Sequence, residues 1–146
     1  WVYPYEDEEE HVIYNVVNGM LLRPYISGMV WKLGENSMNR MKEGISLYKE
    51  IREEVRDGVP FFPLGFGTLN SEVLAYGVKA EKNTYLSLWT PGTTEAVIPL
   101  ENAEQVRRVS VIYPKEEMCG YKIENGNLVV KMPQEKAARL FKIEMK

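Results

Sequence analysis

The sequence predicts an α+β chain in which a helix–strand–helix unit over residues 1–58 precedes an antiparallel β-sandwich over residues 59–146. Three observations predict it. Apolar side chains recur at three- and four-residue spacing on both sides of a short apolar stretch in the first part. After Gly58, roughly six to eight short β-rich runs follow at regular spacing, the pattern of a sandwich. The register changes at Asp57-Gly58, and neither an internal repeat nor a low-complexity tract blurs that boundary.

Trp1-Val2-Tyr3-Pro4 has the character of a buried strand end. The acids Glu6 to Glu10 then read as a helix start, with Asp7 as N-cap and Glu10 reaching back as its capping-box partner. Val12, Ile13, Val16, Val17, Met20 and Leu21 form one apolar stripe, so a helix is expected over residues 7–22. Pro24 stops it, because it lacks an N–H and disfavours a helical Arg23. Residues 25–33 are mostly apolar and read as a strand covered on both faces. Asn36 or Ser37 then caps a second helix over residues 37–57, with Met41, Ile45, Tyr48, Ile51, Arg52 and Val55 on one face and Gly58 as the residue after it.

The Pro-, Gly- and aromatic-rich residues 60–71 cannot be helical for long. Residues 73–80 and 83–90 read as a hairpin, residues 93–100 and 106–113 as further strands, with Arg107 and Arg108 at an exposed edge or start. Asn125-Gly126 between residues 121–124 and 128–132 is a strong hairpin turn. In the last strand Phe141, Ile143 and Met145 share one face, and Lys142 and Glu144 the other.

The totals exclude several function classes. At 146 residues, 45% hydrophobic and 27% charged, the chain is one globular domain, or a small domain plus a fragment. A net charge of −3 offers no positive field for nucleic acid or an anionic membrane. No apolar run spans a bilayer, and a soluble, cytoplasmic setting is the expectation. Cys119 alone allows neither a disulfide framework nor a zinc site built on several thiolates. The absence of an initiating Met before Trp1 suggests a trimmed piece of a longer polypeptide, and Lys146 reads as a natural end.

Candidate chemistry is sparse. His11 has no orienting partner in the pattern and reads as a surface or interdomain residue rather than a general base. Cys119 reads as a half-buried structural thiol. Ser27 lacks a nucleophile-elbow context, and Gly65 and Gly67 lack the strand-to-helix context of a phosphate loop. No cofactor or metal is expected, and no residue here reads as catalytic. The aromatic residues are the informative ones: Trp1, Tyr3, Tyr5, Tyr25 and Trp31 lie in or beside the first two strand-like pieces, with Trp31 read as core. Rings at strand ends can line a ligand pocket. In the sandwich, Tyr76, Tyr85, Trp89 and Tyr113 read as packing residues; a non-catalytic carbohydrate-binding or interaction module is the alternative.

The stretches VVNGMLLRPYISG (residues 16–28), EGISLYKEIREEVRDGVPFFPLGFG (residues 43–67) and TYLSLW (residues 84–89), preceded by WVYP and an acidic helix start, resemble in order and spacing the C-terminal part of glycoside hydrolase family 36. That is the α-galactosidase, or melibiase, family. The likeness runs to about residue 100, with later strands fitting in kind. It implies a parent with an N-terminal β-domain, a (β/α)8 barrel and a C-terminal sandwich. Residues 1–4 would then end the seventh barrel strand. Residues 7–22 would form the seventh helix, residues 25–33 the eighth strand, and residues 37–57 the eighth helix. Such enzymes are retaining and use two aspartates. The resemblance places both upstream of Trp1, so the chain alone should be inactive. It also implies substrate-binding roles for Trp1, Tyr3, Tyr25, Ser27 and Gly28, with Tyr5 and Met29 beside them. The implied partners are the rest of the barrel and an α-galactoside-type sugar, with galactose and N-acetylgalactosamine equally compatible. Residues 1–58 by themselves expose apolar faces, so they should self-associate or repack against the sandwich.

Overall fold

Two helices, a five-stranded sheet and a three-stranded sheet stack in that order in the computed structural model, which describes residues 1–116 and 119–146. Helix α1 spans Glu9–Met20 and α2 Glu35–Asp57. The strands are β1 (Val59–Phe61), β2 (Leu74–Lys79), β3 (Asn83–Thr90), β4 (Glu95–Pro99), β5 (Val106–Tyr113), β6 (Gly120–Glu124), β7 (Asn127–Lys131) and β8 (Ala137–Met145). The larger sheet has the order β1-β2-β3-β8-β5 and the smaller β4-β7-β6, with every pairing antiparallel.

Strand alternation builds two cores from one sheet. On β3, Leu86 and Leu88 face the small sheet and join Ala96, Ile98, Leu128, Val130, Phe141 and Ile143. Tyr85 faces the other way, where Val78, Tyr113, Ala138 and Leu140 pack under Val12, Ile13, Val16 and Val17 of α1 and Met41, Leu47, Ile51 and Val55 of α2. Each fully buried aliphatic side chain of this kind contributes roughly 1.5–3 kcal/mol. The helices therefore cover the outer face of the large sheet, as one of the two expected fates of residues 1–58. The large sheet meets the helices mainly at α1, through β8 and β3.

The helices cross where Gly44 meets Val16. A Cβ on Gly44 would overlap the Val16 side chain and press on the Tyr113 ring, so the absence of a side chain permits the close approach. The Asn125-Gly126 hairpin forms as expected: both residues have positive φ (50° and 78°), and Glu124 pairs with Asn127. Arg107 and Arg108 are exposed near the start of β5, an edge strand.

Several local expectations fail. Residues 25–33 do not form a strand: only a parallel bridge between Val2 and Ile26 appears, followed by a 3-10 turn at Val30–Lys32. Tyr25 and Ile26 are exposed, and a lone parallel pair has no further ladder to extend it. Glu8, not Asp7, caps α1 by accepting the His11 N–H. Asp7 is drawn instead to the start of α2, where the Ser37 side chain and the Gly34 backbone hydrogen-bond its carboxylate. Gly34 is the N-cap of α2 in place of Asn36 or Ser37, and Gly58 ends it in an extended conformation (φ −81°). Trp31 is 77% exposed and belongs to no core.

Candidate functional site

The residues expected at a sugar site come together on one edge of the molecule. Residues 1–4 and 25–29 run side by side in the same direction: Val2 N–H donates to the Tyr25 carbonyl at 2.9 Å, Ser27 N–H to that of Val2 at 2.9 Å, and Met29 N–H to that of Pro4 at 3.1 Å. Alternation then sorts the first segment. Val2 and Pro4 are buried, Val2 in the core shared with the helices, while Trp1, Tyr3 and Tyr5 lie exposed. Trp1 is 78% exposed and its ring centroid lies 6.1 Å from that of Tyr25. Tyr3 and Tyr5 are 6.4 Å apart.

Gly28 has a structural reason to be glycine. Its φ is +86°, and a Cβ there would come within 2.7 Å of the Pro4 carbonyl. Ser27 is half-buried and its backbone, not a nucleophilic arrangement, places it. Tyr5 is held at the end of the pair by His11: the ring Nε2 accepts the Tyr5 N–H at 3.3 Å, and the two rings meet edge-on with centroids 4.2 Å apart. Asn15 Nδ2 lies 3.2 Å from the same nitrogen. His11 thus ties the loop at Tyr5 to the first turns of α1.

The acidic run is consumed by packing. Glu8 caps α1, and Asp7 lies at the start of α2 with its carboxyl held below the usual range by the Ser37 and Gly34 hydrogen bonds. Glu9 accepts from Arg40 Nε at 2.9 Å, and Glu10 lies buried against Arg139. Glu10 is therefore not a capping-box partner. Gly65, at φ +73°, turns the β1–β2 connection, and Cys119 is half-buried just before β6.

A second feature was not anticipated. A cleft of about 570 Å³ opens between α1, the β1–β2 connection and the helix-facing side of β2 and β3. Trp1, Tyr14, Phe62, Tyr76 and Trp89 supply its rings, and burial raises the phenols of Tyr14 and Tyr76 above their ordinary value. Of the four sandwich aromatics read as packing residues, Tyr85 and Tyr113 are buried in the core, whereas Tyr76 and Trp89 reach this cleft. Sequence reasoning does not single out Arg139; a cation set directly between Ala138 and Leu140 in β8 is the signal that could have indicated a buried partner.

No protein-family model and no curated protein sequence matches the chain. Solved structures do. A family 36 α-galactosidase from Geobacillus stearothermophilus in complex with raffinose superposes with a TM-score of 0.65 over 90% of this chain, at 10% identity. The chain shares its fold with a segment of that enzyme. It spans 19% of the enzyme's length. The same α-galactosidase in complex with 1-deoxygalactonojirimycin gives a TM-score of 0.60 at 12% identity, with 90% of this chain and 19% of the enzyme covered. An Anoxybacillus α-amylase gives 0.53 over 80% of this chain and 24% of its own, at 11% identity. The fold neighbours of this chain are thus glycoside hydrolases, and family 36 is the resemblance read from its residues. No helix among the described residues is long and apolar enough to cross a membrane.

Proposed function

We propose that the chain is the C-terminal portion of a retaining α-galactosidase-type glycoside hydrolase. In this reading residues 1–58 are the last slice of a (β/α)8 barrel and residues 59–146 a structural sandwich. The parallel pairing of residues 1–4 with residues 25–29 carries the reading, because α1 connects the two segments and packs behind them, as in a βαβ unit. The fold shared with the family 36 enzyme supports it.

In an intact barrel the exposed face of Trp1, Tyr3 and Tyr25 would turn inward. The C-terminal ends of the pair, at Tyr5 and at Gly28-Met29, would lie at the rim where substrates bind. These rings and the Ser27 hydroxyl would hold an α-galactoside, the rings against the sugar's apolar face. A retaining mechanism needs two carboxyl groups about 5–5.5 Å apart. Asp7, Glu8, Glu9 and Glu10 are all engaged in helix capping or ion pairs, so the catalytic aspartates would come from outside these residues.

The test is an assay on p-nitrophenyl α-D-galactoside. The 146-residue chain should give no turnover, whereas the product of the complete open reading frame should hydrolyse it with retention. In that product Tyr3→Ala should lower kcat/KM about tenfold, equivalent to ~1.4 kcal/mol. Turnover by the chain alone, or a reading frame without a barrel upstream of Trp1, overturns the proposal.

A further inference from the structure

The cleft between α1 and the β2–β3 face contains two polar atoms that the protein leaves unsatisfied. Ser87 Oγ and the Trp89 indole Nε1 are both buried and neither has a hydrogen-bond partner among the described residues. Both residues line the same cleft, and Ser87 is 0% exposed. A buried polar atom left unpaired costs about 1–3 kcal/mol, so two on residues lining one cleft are a specific feature of the site.

The lining restricts what could pair with them. It contains no charged side chain: apart from the rings it is built from Val17, Asn18, Leu21, Leu22, Leu74 and Ala75, with Gly65 and Gly67 in the connection above. An anion would find no cation there, and a metal ion no carboxylate. A pure hydrocarbon would leave Ser87 and Trp89 as they are. The indole N–H can only donate, so the ligand must offer an oxygen; the serine hydroxyl can donate or accept. A ligand hydroxyl serves both. The aromatic side chains around these two atoms fit a molecule whose other faces are C–H rich. The volume lies within the range of about 300–1,000 Å³ typical of small-molecule sites.

We infer that this cleft is a binding site for a neutral saccharide, formed chiefly by Tyr14, Asn18, Tyr76, Ser87 and Trp89, with Trp1 the one residue it shares with the proposed α-galactoside face. A pyranose combines the required features: no charge, apolar C–H faces for the rings, and hydroxyls for Ser87 Oγ, Trp89 Nε1 and the Asn18 amide. The inference does not depend on catalysis by the parent, because it rests on the cleft between the first helix and the sandwich.

The test follows the indole N–H resonances of the full 146-residue chain by NMR during titration with raffinose, with maltotriose and with triglycine as a peptide probe. Of the three tryptophans, Trp89 should shift saturably with a saccharide, and Trp31, which is outside the cleft, should not. Ser87→Ala should weaken binding about fivefold to tenfold while leaving the melting temperature equal or higher, since it removes an unpaired buried hydroxyl. Trp89→Phe should weaken it similarly; if that variant fails to fold, Ser87→Ala decides. No saturable shift at Trp89 with either saccharide overturns the proposal. A saccharide shift indifferent to Ser87→Ala does so as well, and so does saturation by triglycine alone, which would assign the cleft to a polypeptide segment.

Discussion

Arg139 of β8 grips Glu10 of α1 with both arms: Nη2 lies 2.7 Å from Oε1 and Nη1 2.9 Å from Oε2, and the guanidinium is fully buried. The contact joins the first helix to the last strand across 129 residues. Nη1 also donates to the Ala138 carbonyl at 2.7 Å, which orients the group along its own strand. Burying two charges is costly, and a pair of this kind is more a determinant of how two parts dock than a source of net stability.

Arg139→Met should therefore strand the Glu10 carboxylate and lower the unfolding free energy by about 3–5 kcal/mol in urea. The double variant Glu10→Met with Arg139→Met should recover most of that loss. A double variant no more stable than Arg139→Met would show that the pair is not the source of the effect.

Gly44→Ala should destabilise although it adds a better helix former. The new methyl meets Val16 and Tyr113 at the α1–α2 crossing, and overpacking costs about 1–3 kcal/mol against roughly 1 kcal/mol gained in helix propensity. Adding Val16→Ala should relieve the overlap but open space elsewhere in the core. Thermal melts of the Gly44→Ala variant should fall below the parent; a higher melting temperature would mean the crossing has room to spare.

Two phenols set the alkaline limit. Burial raises both Tyr85 and Tyr113 above 10.0, and Tyr85 is raised further by its 3.0 Å hydrogen bond to Glu54. A folded pKa above the unfolded one gives stabilisation that is complete below the unfolded value of 10.0 and lost as pH rises through the folded values. Melting temperature should thus fall steadily above about pH 10. Tyr85→Phe should cost about 1 kcal/mol at neutral pH, by removing the bond to Glu54, and should flatten the alkaline decline.

Asp7 governs the opposite end of the pH range. The Ser37 hydroxyl first, and the Gly34 backbone second, lower its pKa below 3.8. A lowered folded pKa gives stabilisation that is present above the unfolded value and lost as pH falls through the folded one. Asp7→Ala should melt below the parent at neutral pH, and the two should converge in strong acid. A gap that persists in acid would assign the effect of Asp7 to something other than its charge.

Much of this arrangement was legible in the residues. The apolar stripes located both helices within two residues of their ends, because a 3.6-residue period survives any tertiary setting. Asn125-Gly126 specified its hairpin through positive φ at both residues, a local requirement. The ends of helices were less legible, since Asp7 and Glu10 carry good capping chemistry that distant groups, Ser37 and Arg139, claimed instead. Residues 25–33 show the same limit, because a strand exists only where a neighbour pairs with it. At the candidate site, Trp1, Tyr3, Tyr25, Ser27 and Gly28 could be named beforehand, but not the Val2–Ile26 register that brings Trp1 and Tyr25 within 6.1 Å.

By itself the sequence determined what depends on neighbours a few residues away: two amphipathic helices, a run of short alternating strands, a turn at Asn125-Gly126 and a break after Asp57. Tertiary structure decided everything that requires two distant segments to meet. It put α1 on β8 through Glu10 and Arg139, buried Tyr85 and Tyr113 while leaving Trp31 in solvent, and opened the cleft beside Ser87 and Trp89. The physical reason is that periodicity records which side of an element is apolar, whereas burial and pairing depend on which other surface arrives to cover it.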